Sequence, residues 1–293
     1  MKFGYHPTMC NPDFYLPLAK AAEEADFDDF VFPDSICFPE KPSISKYPYN
    51  EDGKGGFLED VPFLDPFSTI PLLASHTNKI TFSSHVMKLT VRQPVLVAKQ
   101  LSTVAVLTNN RFNFGVGLSP WKEDFIVTQE TWEGRGKRMD EMIQIIKGLL
   151  SGDFFSFKGE FYNLPTIKIC PVPTKNVPMY MGGHSEPALK RAAKYLDGWM
   201  SAGLDFETNK AVMKRLRELR KQYNRENDAF YHVTMGPECY EPDGIKKLEE
   251  LGINECVIAF RDAYAGDEDN RTLEQMIGEI NSFSETVISK VRI

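Results

Sequence analysis

The residues best suited to chemistry stand just past short apolar runs. The clearest group follows Met179-Tyr180-Met181: Gly182 and Gly183, then His184 and Ser185, then a helical pattern with Leu189, Ala192, Ala193 and Leu196 on one face. Paired glycines let backbone approach a ligand closely, and the unpaired N–H groups of a helix start favour an anion. The turn therefore reads as a phosphate cradle, with Ser185 as donor or helix cap; a plain strand-to-helix turn is the simpler alternative. A second class of candidate handles protons. His6 ends the first apolar run, and an imidazole can act as acid or base near neutral pH. Glu123 and Asp124 follow the run Phe112 to Val116, where carboxylates also suit the first turn of a helix. Asp34 closes Phe-Val-Phe-Pro-Asp, and Ser84 and His85 close another run. Their structural alternatives are a loop cap for the aspartate and a core imidazole for His6 and His85.

These residues need elements to hold them. Strands are expected at 2–6, 30–32, 80–87, 112–116, 179–181, 199–201, 231–235 and 255–260. Helices are expected at 13–25, 66–77, 94–107, 138–150, 206–225, 242–251 and 273–283, besides the one that follows Ser185. In the clearest of them Met139, Met142, Ile143, Ile146 and Leu149 recur at helical spacing. Two stretches interrupt the alternation. A long loop at 36–65, rich in Pro, Gly and Tyr, reads as a lid or binding loop. A hairpin insertion at about 153–170 turns at Lys158-Gly159. Eight strands alternating with helices imply parallel βα units closed into a (β/α)8 barrel, one domain over residues 1–293. No Gly-x-Gly-x-x-Gly follows the first strand, which argues against a dinucleotide-binding open sheet. In such a barrel the chemistry sits at the C-terminal strand ends, so the candidates should converge on one mouth.

Composition narrows the classes. The chain has 293 residues, 42% hydrophobic and 26% charged, with net charge −7. That balance argues against a nucleic-acid surface, and no apolar run is long enough to span a bilayer. The basic run KRLRELRKQYNR reads as a solvated helix face. Five scattered cysteines in no metal-ligand spacing read as reduced thiols of a cytoplasmic protein. Helices two and three carry Leu72, Leu73, Val95, Val97 and Leu101, more apolar surface than one barrel face needs, and so point to a homodimer.

The segments KFGYHP, AAEEADFDDFVFPDS, RQPVLVAKQLSTVAVLTNNRFNFGVG, RGKRMDEM and GGHSEPALKRAAKYLDGW, in this order and spacing, resemble the luciferase-like oxidoreductases. The resemblance covers nearly the whole chain. It implies a barrel with coenzyme F420, or alternatively FMN, across its mouth as a hydride carrier; GVGLSPWKEDF looks closer to the F420-using branch. It implies a phosphate-binding role for Gly182, Gly183, His184 and Ser185, and a ring-contacting side chain at Trp121. It places a bulge with a non-proline cis peptide at His85–Val86, beside Ser84, behind the ring, and puts Asp34 near the ring's pyrimidine side. Some alcohol and sugar dehydrogenases of the family carry a histidine directly after this aspartate; Ser35 stands there, so that mechanism is not supported. Lys137 or Arg135 is placed to reach an acidic cofactor tail, whereas a buried arginine paired with Asp140 or Glu141 would be structural. The implied activity is hydride transfer between the deazaflavin and a small carbonyl, enone or alcohol, with His6 and Glu123 handling the proton. The alternatives are an FMN-dependent monooxygenase or a non-catalytic flavin- or F420-binding barrel.

Overall fold

The computed structural model describes residues 1–40, 59–262 and 268–292. Among them run eleven strands: β1 (Lys2–Tyr5), β2 (Asp29–Phe32), β3 (Thr81–Ser84), β4 (Met87–Lys88), β5 (Phe112–Gly117), β6 (Phe155–Lys158), β7 (Asn163–Ile167), β8 (Met179–Gly182), β9 (Gly198–Met200), β10 (Tyr231–Thr234) and β11 (Glu255–Ile258). Eight of them pair in parallel in the order β1-β2-β3-β5-β8-β9-β10-β11. The ring closes where Lys2–Tyr5 pairs with Glu255–Ile258. This is the expected (β/α)8 barrel. Much of the loop expected at 36–65, residues 41–58, lies outside the described residues, and with it the reading as a lid.

Around the barrel lie α1 (Tyr15–Glu24), α2 (Pro66–Ala74), α3 (Pro94–Leu107), α4 (Lys122–Val127), α5 (Arg135–Leu150), α6 (Glu186–Tyr195), α7 (Phe206–Gln222), α8 (Pro242–Leu251), α9 (Leu273–Phe283) and α10 (Ser289–Val291). Proline opens α2, α3 and α8, where a missing N–H costs least. Asp65 and Gln93 cap the first two by accepting from Ser68 and Leu96, at 2.9 and 2.8 Å. Thr272 and Gln275 form a full capping box on α9. The periodic residues of α5 are all in the core, as their spacing predicts.

Four details differ from the sequence reading. Strand β3 stops at Ser84 because the His85–Val86 peptide is cis and redirects the chain into β4. The stretch after β5, expected as a loop at 117–124, already opens α4, with Glu123 and Asp124 in the first helical turn that suits their carboxylates. The insertion β6–β7 is an antiparallel hairpin, as expected, but it turns over Gly159–Tyr162. Glu141 of α5 holds that wider turn by accepting the N–H groups of Glu160, Phe161 and Tyr162 at 2.6, 3.0 and 3.0 Å. Finally, of the apolar residues expected on the surface of α2 and α3, Leu73, Val97 and Leu101 are core residues, whereas Leu72 is exposed, together with Leu96, Val106 and Leu107. No helix among the described residues is long and apolar enough to cross a membrane. The five cysteines are free.

Candidate functional site

Three histidines follow strands at the C-terminal end of the barrel: His6 after β1, His85 after β3 and His184 after β8. These strands alternate around the ring, and residues on alternate strands share a layer. Burial pushes His6 down to about 3, with the nearby His85 adding to it and its own carbonyl opposing. Burial likewise pushes His85 down to about 4; the Ser201 backbone opposes this and His184 adds to it. His184 is lowered by burial as well. All three rings are therefore neutral at pH 7. The sequence reading of His6 as a group titrating near neutrality gives way to a neutral imidazole. Its Nδ1 accepts the Thr8 N–H at 3.0 Å.

Val86, directly after His85, lies as a floor over the ends of β5 and β8. A Cβ at Gly117 would come within 2.6 Å of Val86 Cγ2, and one at Gly182 within 2.7 Å of Cγ1. Glycine at both positions is what lets the valine lie across two strands. Ser84 is fully buried beneath, its hydroxyl donating to the Gly115 carbonyl at 2.8 Å. It builds the wall and does not face the mouth.

The turn after β8 has the expected freedom. Gly183 has φ +101°, a left-handed conformation that favours glycine, and its carbonyl accepts the Trp199 indole N–H at 3.0 Å. Ser185 occupies the N-cap position of α6 but makes no side-chain capping bond. A left-handed glycine, an uncommitted hydroxyl and a helix start together fit a phosphate-bearing group. His184 approaches the neighbouring loop, accepting from Ala202 N–H at 3.4 Å.

On the other side, Trp121 is buried and its N–H is held by Ser119 Oγ at 3.0 Å. Glu123 stands in the first turn of α4. Asp34 is engaged elsewhere: Arg92 grips it with two N–H groups at 2.8 and 2.9 Å, and the Lys88 N–H donates to it at 2.8 Å. Beside it the Lys88 ammonium pairs with Asp124 at 2.8 Å, both buried, and Ser119 also donates to that carboxylate. This network of Lys88, Arg92 and Asp124 braces the bulge, and sequence reasoning missed it. The available signal was Lys88 and Arg92 flanking an apolar stretch directly after β3.

The arginines of α5 are structural. Arg135 stacks on Trp132, 3.5 Å from the ring centroid. Arg138 donates to the Thr131 and Thr90 carbonyls at 2.6 and 2.9 Å. Asp140 pairs with Arg191, and exposed Lys137 with Glu160 at 3.6 Å.

The luciferase-like monooxygenase family profile matches residues 4–281. The chain belongs to that family. An uncharacterized protein of Mycobacterium tuberculosis is 40% identical over 291 residues, spanning 99% of this chain and 100% of the relative. An FMNH2-dependent dimethylsulfone monooxygenase of Pseudomonas fluorescens is 32% identical over 128 residues, 43% of this chain and 35% of that protein. The solved structure of an F420-dependent secondary alcohol dehydrogenase superposes with a TM-score of 0.75 at 17% identity, covering 100% of this chain and 99% of that one. The family consists of F420- or flavin-dependent oxidoreductases and monooxygenases.

Proposed function

We propose that this chain is an F420-dependent oxidoreductase acting on a small organic carbonyl, enone or alcohol. The observation that carries the reading is the Val86 floor seated on Gly117 and Gly182. It is a narrow apolar surface at the centre of a polar mouth, suited to the back of a flat ring. When bound, F420 supplies a carbon that gives or takes a hydride. Val86 backs the ring. Gly182, Gly183, His184, Ser185 and the start of α6 hold the phosphate end. Trp121 lines the opposite wall and excludes water, and Glu123 beside it serves as the acid. Neutral His6 presents a donor to a substrate oxygen. Ser84 and His85 shape the bulge, while Asp34 supports the ring through Lys88 and Arg92.

Fluorescence titration of the purified protein with F420 and, separately, FMN tests the cofactor. Tight F420 binding with weak FMN binding is expected; the reverse makes the chain an FMN-dependent relative. Anaerobic reoxidation of the reduced cofactor by a carbonyl panel then tests turnover, and no reoxidation by any carbonyl leaves a binding barrel. We further propose a homodimer through α2 and α3, where Leu72, Leu96 and Leu107 are 56, 64 and 62% exposed. A monomer by sedimentation at micromolar concentration overturns the dimer.

A further inference from the structure

Arg271 lies in the connection from β11 to α9, and its guanidinium makes four hydrogen bonds among the described residues. Two go to Asp269, at 2.8 and 2.7 Å, and one to Glu279, at 2.9 Å. The fourth crosses to the β1 connection and reaches Thr8 Oγ1 at 2.9 Å. Thr8 and Met9 have φ of 55° and 54°. A β-branched residue in the left-handed region is an outlier that persists only when its surroundings hold it. Arg271 is such a hold.

The conformation of Thr8 aims its N–H at His6 Nδ1. An amide hydrogen is fixed by the backbone, so Nδ1 must be the acceptor; a proton there would meet it head-on. A neutral ring then carries its proton on Nε2. His6 is only 9% exposed. Of the charged and titratable groups nearby, His85 acts on the ring itself, while Tyr5 and Cys10 of its own connection and Asp269, Arg271 and Glu279 behind Thr8 act on one another.

We propose that Arg271 is a positioning residue that, through Thr8, fixes His6 as the Nε2–H tautomer, a hydrogen-bond donor for a substrate oxygen and not a base. What the donor acts on rests on the hydride-transfer reading; the tautomer does not. As charge builds on a carbonyl oxygen, the neutral imidazole stabilises it by hydrogen bonding, and the proton that completes the alcohol comes from Glu123, the acid of that reading.

Long-range 1H–15N correlation spectra of the full chain with 15N-labelled histidine test this, His6→Gln assigning the signal. Wild type should show a single Nε2–H tautomer, unchanged from about pH 5 to 8. Thr8→Val keeps the side-chain shape and removes the hydroxyl; Arg271→Met removes the donor. Both should add an Nδ1–H population of roughly a tenth or more and let the ring begin to titrate. Arg271→Lys should recover part of the wild-type signal. A wild-type proton on Nδ1, or variant spectra identical to wild type, overturns the proposal. If Arg271→Met does not fold, Thr8→Val decides alone. A chain that binds neither F420 nor FMN while His6 reads as Nε2–H ends the functional reading and leaves this inference standing.

Discussion

At the N-terminal ends of the strands, Asp29 of β2 and Glu255 of β11 lie together inside the barrel; at the C-terminal ends, His6, His85 and His184 surround the mouth. Burial acts on both groups in opposite chemical directions. Asp29 is raised to about 6 by burial, and Glu255 well above its usual range by burial and then by the charge of Asp29. The two carboxyls act on each other, so that the pair holds a proton more readily than an exposed carboxyl would. Ser83 and Thr81 donate to Asp29, the latter at 3.2 Å, and Tyr231 donates to Glu255 at 3.1 Å. Tyr231 stacks on Tyr180 with ring centroids 5.4 Å apart, closing that end. The contrast teaches that a shifted pKa alone does not mark a working site. At the closed end the polar groups turn on one another. At the mouth, among the described residues, the Ser185 hydroxyl makes no cap and Gly183 keeps a left-handed turn before a helix start.

The largest expected effect is on stability against pH, and the two ends have opposite signs. The carboxyl pair has raised folded pKa values. Its contribution is greatest below the unfolded range near 4 and is lost as pH rises through about 6. For Asp29 that is about 3 kcal/mol. The histidines have lowered folded values, so their contribution is full above about 6.5 and is lost as pH falls, by about 2–3 kcal/mol each for His6 and His85 down to pH ~4.5. Urea unfolding at stepped pH should show the Glu255→Gln variant gaining stability with pH more steeply than wild type, because the opposing slope has been reduced. Parallel curves would mean that the pair does not hold that proton.

Gly182→Ala comes next. Its methyl group would collide with Val86, and overpacking of this kind costs about 1–3 kcal/mol. If the floor supports the cofactor, affinity should fall roughly 10- to 100-fold, and adding Val86→Ala should restore much of it. Unchanged affinity in the single variant would remove the floor from the argument. Ser185→Ala should leave melting unchanged, since Ser185 makes no cap, while weakening cofactor binding about tenfold. A melting loss without an affinity loss would make Ser185 a helix-start residue only. The smallest effect belongs to the closed end: Tyr231→Phe should cost about 1 kcal/mol in urea unfolding and leave cofactor affinity untouched. Weaker cofactor binding in Tyr231→Phe would show that the two ends communicate.

Much of this architecture is legible in the sequence because strand and helix periods write themselves into apolar spacing. Met139 to Leu149 fixes α5, and Lys2 to His6 places the first strand and its histidine. The glycine turn is legible for a similar reason, since few residues besides glycine adopt the φ of Gly183. What escapes is long-range pairing. Arg92 finds Asp34 across 58 positions, and Lys88 finds Asp124 across 36, and no local pattern encodes either bond. The direction of the shift at His6 escapes as well, because burial is a property of the whole barrel. On α3, periodicity alone does not decide which of two apolar faces turns inward, so Leu101, expected on the surface, lies in the core while Leu96 is exposed.

The β6–β7 hairpin is fastened to the barrel chiefly along α5. Glu141 takes the three amides of its turn, and Phe155 lies over Gly148, where any side chain would strike the ring. Neither strand of the hairpin pairs with a barrel strand. It can therefore detach and return as a unit while every barrel hydrogen bond stays intact, a local opening whose free energy lies below that of global unfolding. The amides of Glu160, Phe161 and Tyr162 share one carboxylate, so their protection against exchange should correspond to one common opening free energy, a local threshold separate from that of the molecule that carries the hairpin.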